Sequence, residues 1–399
     1  MTVGEKSEGV SRVAFRFIGS DIWQGGYNYL LNLCAAITAN AQSSLQPVVF
    51  YGDSVGESDL KPFKDLLGEN CIYSAVMTPS ALKRRALTAL VTGRDNTSAE
   101  VFLKAGIDVV FENADFFGRN FPLPIVSWIP DFQHRQLRHL FSTSQYIRRE
   151  IGFRAQIASD RLIMVSSEAS RQDCLGFYKI KAVRVRVVSF AIPFVATEST
   201  SMDVRKEYDL PSAFFFLPNT FWPHKNHKIV VDALAYARLL GVEVVVAVSG
   251  KGNHPSCIDA YEEVQAEVKK QGLESNFRML GRIPYDHVRA LLASCQALIN
   301  PSRFEGWSTT IEEAKSYGVN LILSDLAVNK EQVGDEGHFF DVEDYKTLAQ
   351  YLIGEQTRQQ ERCKDVEELA RQSEERMAEF GDTFSRLVLE VKGAVNRAV

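Results

Sequence analysis

The sequence contains no Cys-x-x-Cys pair, no Asp-x-Asp and no run of eighteen apolar residues. Without such a run no helix is long and apolar enough to cross a bilayer. Without paired cysteines, the six thiols Cys34, Cys71, Cys174, Cys257, Cys295 and Cys363 read as reduced side chains, not a disulfide framework or a zinc site. An excess of positive charge is lacking too. A net charge of −5 and a pI near 5.9 argue against a general nucleic-acid binder. No basic-then-apolar signal segment opens the chain, and residues 1–10 read as a disordered leader. The expectation is a cytoplasmic protein, in peripheral contact with the inner face of a membrane at most.

What is present is ordinary globular material, 45% hydrophobic and 24% charged over 399 residues. That length exceeds what one core serves, so two domains are expected. Short apolar runs alternate with helical spacing. Val13–Ile18, Val48–Tyr51, Ile107–Phe111, Ile125–Ile129 and Leu162–Val165 read as strands of a first doubly wound parallel sheet. Ile192–Ser201 breaks the pattern with a proline and a Ser/Thr-rich half, as a linker does. A second cycle follows with Ala213–Leu217, Val244–Val248, Phe277–Leu280, Ala297–Ile299 and Leu321–Leu323. The fold class is therefore α/β, with one Rossmann-like domain over 1–195 and a second over 203–381. Two such halves place their ligand edges facing one another across a cleft. The charged end carries helical spacing through Leu369, Met377, Phe380, Phe384, Leu387, Val388 and Val391. Gly381 reads as a break in it.

The most informative stretch runs from Asn300 to Ala314. It reads as strand, tight loop, helix. Ser308 and Thr309 suit an N-cap, so the helix aims unpaired amides and a partial positive charge at the loop, where an anion such as a diphosphate can bind. Gly306 admits a ligand close to the backbone. Glu305 and Glu313 stand at the helix mouth, yet carboxylates repel phosphate. They suit a ligand anionic in its middle and rich in hydroxyls at both ends, as a nucleotide diphosphate sugar is. After the first strand of the second half comes Trp222-Pro223-His224-Lys225-Asn226-His227, whose lysine is a natural partner for a diphosphate. His224 and His227 lack a third ligand at suitable spacing, so no zinc site is read there. In the first half, Gly25-Gly26 follows the first strand and His134 follows Ile129 at the sheet's carboxyl edge.

Glu305 and Glu313, with Phe304-Glu305-Gly306-Trp307 and Glu313-Ala314 around them, resemble the Glu-x7-Glu signature of retaining family 4 glycosyltransferases with the GT-B fold (glycosyl transferases group 1). The likeness spans residues 210–350 firmly and the first half in outline. It implies that Glu313 grips ribose hydroxyls and Glu305 sugar hydroxyls. It also implies that the amides of Trp307, Ser308, Thr309 and Thr310 hold sugar and phosphate, and that Lys225 neutralises the diphosphate. By the same resemblance Gly250, in Ser249-Gly250-Lys251-Gly252, forms the turn near the nucleotide. Arg282 and Ile283 hold the base, mostly through backbone. Gly25 and Gly26 face the donor diphosphate, and His134 stands near the donor sugar. The last helix, 382–399, completes the first, acceptor-binding domain. One position departs from the pattern: Asn219 stands where many relatives carry arginine. A metal ion can supply missing charge, but without an Asp-x-Asp the reaction is expected to be metal-independent.

The implied activity is transfer of a hexose from a nucleotide diphosphate sugar to a saccharide or lipid-linked acceptor hydroxyl in cell-surface polysaccharide or glycolipid synthesis. The sugar leans to mannose or a related deoxyhexose, and a GDP-sugar is favoured over a UDP- or dTDP-sugar. Retention in such enzymes is explained by front-face attack, without a protein nucleophile. A nucleotide-sugar-binding subunit without catalysis, which Asn219 favours, and a GT-B nucleotide-sugar 2-epimerase are the alternatives. Two basic stretches, Lys83-Arg84-Arg85 beside Ala86, Leu87, Leu90 and Val91, and Arg135, Arg138, Arg148 and Arg149, suit an anionic acceptor or membrane surface.

Overall fold

The computed structural model describes residues 9–396 apart from 21–22, 41–42, 54, 114, 196–200 and 358–364. Residues 1–8 of the expected leader and 196–200 of the expected linker lie outside the described residues. The chain divides into two compact units, Met1–Ala191 with Glu375–Val399, and Ile192–Glu374.

The first unit is built on seven strands: β1 (Ser11–Arg16), β2 (Leu45–Tyr51), β3 (Cys71–Tyr73), β4 (Val109–Glu112), β5 (Ile125–Trp128), β6 (Leu162–Val165) and β7 (Val185–Val187). Their order is β3-β2-β1-β4-β5-β6-β7, and every pairing is parallel. Parallel strands need crossovers, and helices between them cover both faces. Hence Val13, Ala14 and Phe15 are all buried, although successive side chains point to opposite faces.

The second unit carries β8 (Phe215–Leu217), β9 (Val246–Ser249), β10 (Phe277–Gly281), β11 (Ala297–Asn300), β12 (Asn320–Ser324) and β13 (Gly337–Phe340). These pair in the order β10-β9-β8-β11-β12-β13, again all parallel. Alternation is visible in the packing. Phe215, Leu217, Val246, Val248 and Ile299 enter one apolar cluster, while Phe214, Phe216, Ala247 and Leu298 enter the other. The strand order reverses between β8 and β11, so the loops leaving their carboxyl ends part to opposite faces and open a crevice.

The last helix, Val366–Asn396, runs unbroken through Gly381, which corrects the expected break. A Cβ at Gly381 would lie 2.7 Å from the Ala36 carbonyl oxygen. The glycine lets this helix approach the helix Gln24–Ala39 closely. Phe380 and Phe384 then reach Tyr29 and Phe15 at ring separations of 5.8 and 5.9 Å.

Candidate functional site

All six strands of the second unit point the same way, so their carboxyl-end loops share one edge. Along that edge lie Asn219 and Lys225 after β8, Gly250 after β9, Arg282 and Ile283 after β10, and Glu305 to Thr310 after β11. The two loops flanking the strand-order reversal meet through charge: Lys225 Nζ lies 2.6 Å from Glu305 Oε1, and both side chains are largely buried. Burial alone would push the Glu305 carboxyl up, but the ammonium of Lys225 and its hydrogen bond hold it below the usual carboxylate range. Asn300, the last residue of β11, donates from Nδ2 to Glu305 Oε1 at 3.3 Å and to Ser308 Oγ at 3.0 Å. The lysine loop is fixed from its other side. Asn226 adopts φ +54°, a left-handed conformation that asparagine tolerates. Its amide donates to the Val342 carbonyl, and Arg303 Nη2 donates to its Oδ1.

Ser308 stands at the N-cap position of the helix Thr309–Ser316, but its side chain makes no cap hydrogen bond; its Oγ accepts from Asn300 Nδ2 and lies 3.0 Å from Thr310 Oγ1 instead. The Ser308 amide already donates to Gln332 Oε1 at 3.2 Å, while Gln332 Nε2 donates to the Ser308 carbonyl and to Glu312 Oε1. The Ser308 amide thus serves the helix entry, and the first-turn amides of Thr309 and Thr310, which a helix leaves without intrahelical acceptors, open onto the loop. Gly306 and Trp307 are half-buried beside them.

Glu313 is buried on the same helix, 7% exposed. Its Oε1 accepts from the Tyr285 hydroxyl at 2.6 Å. Burial pushes this carboxyl up to about 7, with Tyr285 and Arg289 pulling the other way. The two glutamates therefore differ in kind: Glu305 is held ionised by a cation, whereas Glu313 titrates near neutrality.

Asn219 is buried, and its Nδ2 has no hydrogen-bond partner among the described residues. Its carbonyl accepts from His227 Nε2 at 3.1 Å. Burial pushes His227 down to about 3, so it is a neutral donor stacked on Phe221 at 4.2 Å. Gly250 sits at φ +152°, and a Cβ there would lie 2.3 Å from the Asn219 oxygen. This glycine lets the β8 and β9 loops touch. Arg282 is exposed and Ile283 half-buried.

The remaining expected residues, Gly25, Gly26 and His134, belong to the first unit. Gly25 is half-buried and Gly26 buried. The indole of Trp23 packs against Gly26, 2.2 Å from where a Gly26 Cβ would be, and stacks on Trp128 at 5.5 Å. His134 is fully buried in the short helix Gln133–Gln136. Its Nε2 lies 3.0 Å from Glu150 Oε1, and its Nδ1 has no partner among the described residues. Glu150 also accepts from Arg135, Arg154 and Tyr178. Burial would raise its carboxyl, but these donors, Arg135 first, bring it down to about 2. An ionised Glu150 can only accept, so His134 donates from Nε2 and keeps a lone pair on Nδ1. Burial depresses the imidazole further than Glu150 raises it.

The basic stretches divide in the same way. Arg85 points inward, to Ser98 Oγ at 2.7 Å and Asp95 at 3.5 Å, and Arg135 and Arg149 pair with Glu150 and Asp131. Lys83, Arg84, Leu87, Leu90 and Val91 are exposed along the helix Pro79–Thr92. No helix among the described residues is long and apolar enough to cross a membrane.

Residues 203–373 match the family described as Glycosyl transferases group 1. Over 206 residues the chain is 25% identical to the O-antigen chain mannosyltransferase B of Escherichia coli, covering 49% of this chain and 51% of that protein. It thus spans about half the length of that relative. Two solved structures share the fold across nearly the whole chain. A glycosyltransferase from Rickettsia africae superposes with a TM-score of 0.65 at 13% identity, covering 98% of this chain and all of that one. HepE of Anabaena, solved with UDP and glucose, gives 0.63 at 14%, covering 97% and 99%. The architecture is GT-B, α/β with two doubly wound domains. The stretch that matches the group 1 glycosyltransferase family lies in the second unit.

Tyr285 and Gln332 are site residues that the sequence did not single out, and Asn300 and His227 lie in the motif stretches without a role assigned from sequence. Asn300 is the first residue of the motif stretch, and Tyr285 follows the Arg282-Ile283 pair by two positions. Gln332 carries no local signal.

Proposed function

We propose that the protein is a retaining, family 4-type hexosyltransferase. It moves mannose or a related deoxyhexose from a nucleotide diphosphate sugar, GDP-linked by preference, to an acceptor hydroxyl in cell-surface polysaccharide or glycolipid synthesis. The observation that carries this reading is the buried Lys225–Glu305 pair at the strand-order reversal, beside a helix N-terminus. A donor satisfies both partners of that pair at once: its diphosphate meets Lys225 and the amides of Thr309 and Thr310, and its sugar hydroxyls meet Glu305. Negative charge grows on the diphosphate as the glycosidic bond breaks. Cation and amides therefore stabilise the transition state beyond the bound donor. Asn219 Nδ2, a buried donor with no partner among the described residues, fits a ligand oxygen where relatives place arginine. Glu313 takes the ribose hydroxyls. The reaction needs no metal in this reading. The E. coli mannosyltransferase supports the sugar, whereas the UDP seen with HepE makes the base a matter for experiment.

The test is incubation of the purified protein with GDP-mannose, GDP-fucose, UDP-glucose and dTDP-rhamnose, with nucleotide release and products followed by NMR. With water as the acceptor, release of GDP from GDP-mannose is expected, with α-mannose as the first-formed sugar product. Tight donor binding with no release from any donor would establish the non-catalytic binding subunit, and inversion at C2 of the free nucleotide sugar the epimerase.

Peripheral membrane contact, where it occurs, is assigned to the exposed face of Pro79–Thr92. There Leu87 and Val91, 65% and 80% exposed, lie beside Lys83 and Arg84, and each basic residue contributes about 1 kcal/mol near anionic lipid. Co-sedimentation with phosphatidylglycerol vesicles that persists unchanged in Leu87→Ser/Val91→Ser would overturn this assignment.

A further inference from the structure

Tyr285 opens the helix Tyr285–Leu292 just beyond β10. The residue is 42% exposed, with the Arg289 guanidinium over its ring at 4.5 Å, while its hydroxyl reaches inward to Glu313 Oε1 at 2.6 Å. A carboxylate as buried as Glu313 ordinarily pairs with a cation or collects several donors. Here the direct partner is a neutral phenol.

We propose that Tyr285 is a positioning residue for nucleotide recognition, whose hydroxyl holds the Glu313 carboxylate ionised and oriented so that its remaining acceptor sites take a ribose 2′,3′-diol. The proposal rests on the donor-site reading above and adds to it the group that makes Glu313 competent. An ionised carboxylate offers about four acceptor positions. The phenol uses one of them, which leaves room for both hydroxyls of a cis-diol. A protonated carboxyl is instead a donor on one oxygen and cannot accept from the diol in that way. The balance is close, because burial brings this group to about 7 while the Tyr285 hydrogen bond and then Arg289 oppose that rise. The phenol keeps its own proton throughout, since burial and the neighbouring Glu313 raise it well above its ordinary value. Tyr317, just past the end of the Glu313 helix, also acts on Tyr285, and Tyr317 is itself raised by burial first, then by Glu313 and by Asp286 on the Tyr285 helix. Neither supplies a compensating cation.

Linkage fixes the sign. A diol donating to the ionised form binds best above about pH 7 and loses affinity as pH falls through the Glu313 titration, by at most about tenfold per pH unit. Removing the Tyr285 hydroxyl removes a donor to the charged form, so that titration moves upward.

The experiment measures the affinity of GDP and UDP, and of their 2′-deoxy counterparts, by calorimetry between pH 5.5 and 8.5. The proteins are the full chain, Tyr285→Phe and Glu313→Gln. In the unaltered protein the preference for the ribose form is expected to be greatest near pH 8 and to fall toward one at the acid end. In Tyr285→Phe, which keeps the ring and its stacking on Arg289, the midpoint should rise by about one pH unit or more, as loss of a charge-assisted hydrogen bond implies. The preference at pH 7 should then fall severalfold, with the melting temperature little changed. An unchanged midpoint and preference in Tyr285→Phe would overturn the proposal. Glu313→Gln separates this from failure of the underlying reading. If glutamine preserves the ribose preference, or neither nucleotide binds the unaltered protein, it is the donor-site assignment that falls.

Discussion

Lys225 and Glu305 occupy one ion pair, and that changes what a substitution at either position reports. Lys225→Ala removes the cation expected to stabilise the departing diphosphate, a loss of about a hundred- to thousandfold in turnover by analogy with a deleted oxyanion donor. It also strands the buried Glu305 carboxylate, and unpairing a buried charge costs about 3–5 kcal/mol. The lost turnover therefore has to be read against the melting temperature. The double variant Lys225→Met/Glu305→Gln removes both charges and is expected to recover most of the stability and none of the rate. If it recovers the rate, or if Lys225→Ala raises the donor KM and leaves kcat alone, Lys225 is a ground-state anchor and its catalytic role is wrong. The pair itself was not legible in the sequence, although both members were. Glu305, Glu313 and Lys225 stand out because a loop glycine, a helix cap and two carboxylates fall at characteristic spacing. What each side chain touches in the absence of ligand depends on residues far away in the chain. Tyr285 lies 28 positions before its partner Glu313, and Gln332 lies 24 positions after Ser308. No local pattern encodes such meetings. Gly25 and Gly26 show the converse: a glycine pair reads as room for a ligand, and the structure adds a second demand, since a Cβ on Gly26 would meet the Trp23 indole.

At the scale of elements, the strands that apolar runs found are those buried on both faces, because a two-sided position demands an uninterrupted apolar run. The exception is the edge strand β10, half-buried along most of its length. The three they missed, β3, β7 and β13, are all sheet edges. Edge strands are short, and one side of the backbone is unpaired, so polar residues such as Arg186 in β7 are tolerated and even favoured. Helix interiors raise a different ambiguity. Gly381 carries a breaker's residue type at a position where the helix continues, because the close approach of two helices favours a missing side chain as strongly as a turn does. Gly381→Val tests that account. The new side chain must displace the Ala36 backbone, which sits in a packed unit, so overpacking should destabilise by about 1–3 kcal/mol. A helix interior relieved of its glycine gains less than about 1 kcal/mol. The net expectation is a lowered melting temperature, read by circular dichroism or calorimetry. An unchanged or raised value would mean that the two helices part without cost and that the glycine has no packing role.

At the scale of the whole molecule, the two units place their ionisable networks differently, and this gives each a distinct response to perturbation. In the first unit Glu150 anchors His134, Arg135, Arg154 and Tyr178, and its carboxyl is depressed to about 2. A depressed carboxyl contributes stability that is present above its ordinary value near 4.5 and is lost as pH falls from there toward 2. Glu150→Gln should therefore destabilise this unit at neutral pH, by about 3 kcal/mol or more because it breaks a buried paired charge, and should flatten its acid sensitivity. The second unit carries the candidate donor site, so a nucleotide at about a hundred times its dissociation constant should stabilise that unit by about 2.7 kcal/mol. For a unit of this size the transition rises by roughly 5–10 °C. Differential scanning calorimetry of the full chain reads both effects together. Glu150→Gln should lower one transition at pH 7, and GDP or UDP should raise the other. A nucleotide that raises the transition sensitive to Glu150, and leaves its companion where it was, would place the nucleotide in the first unit and remove the assignment of Lys225, Glu305 and Glu313 to the donor.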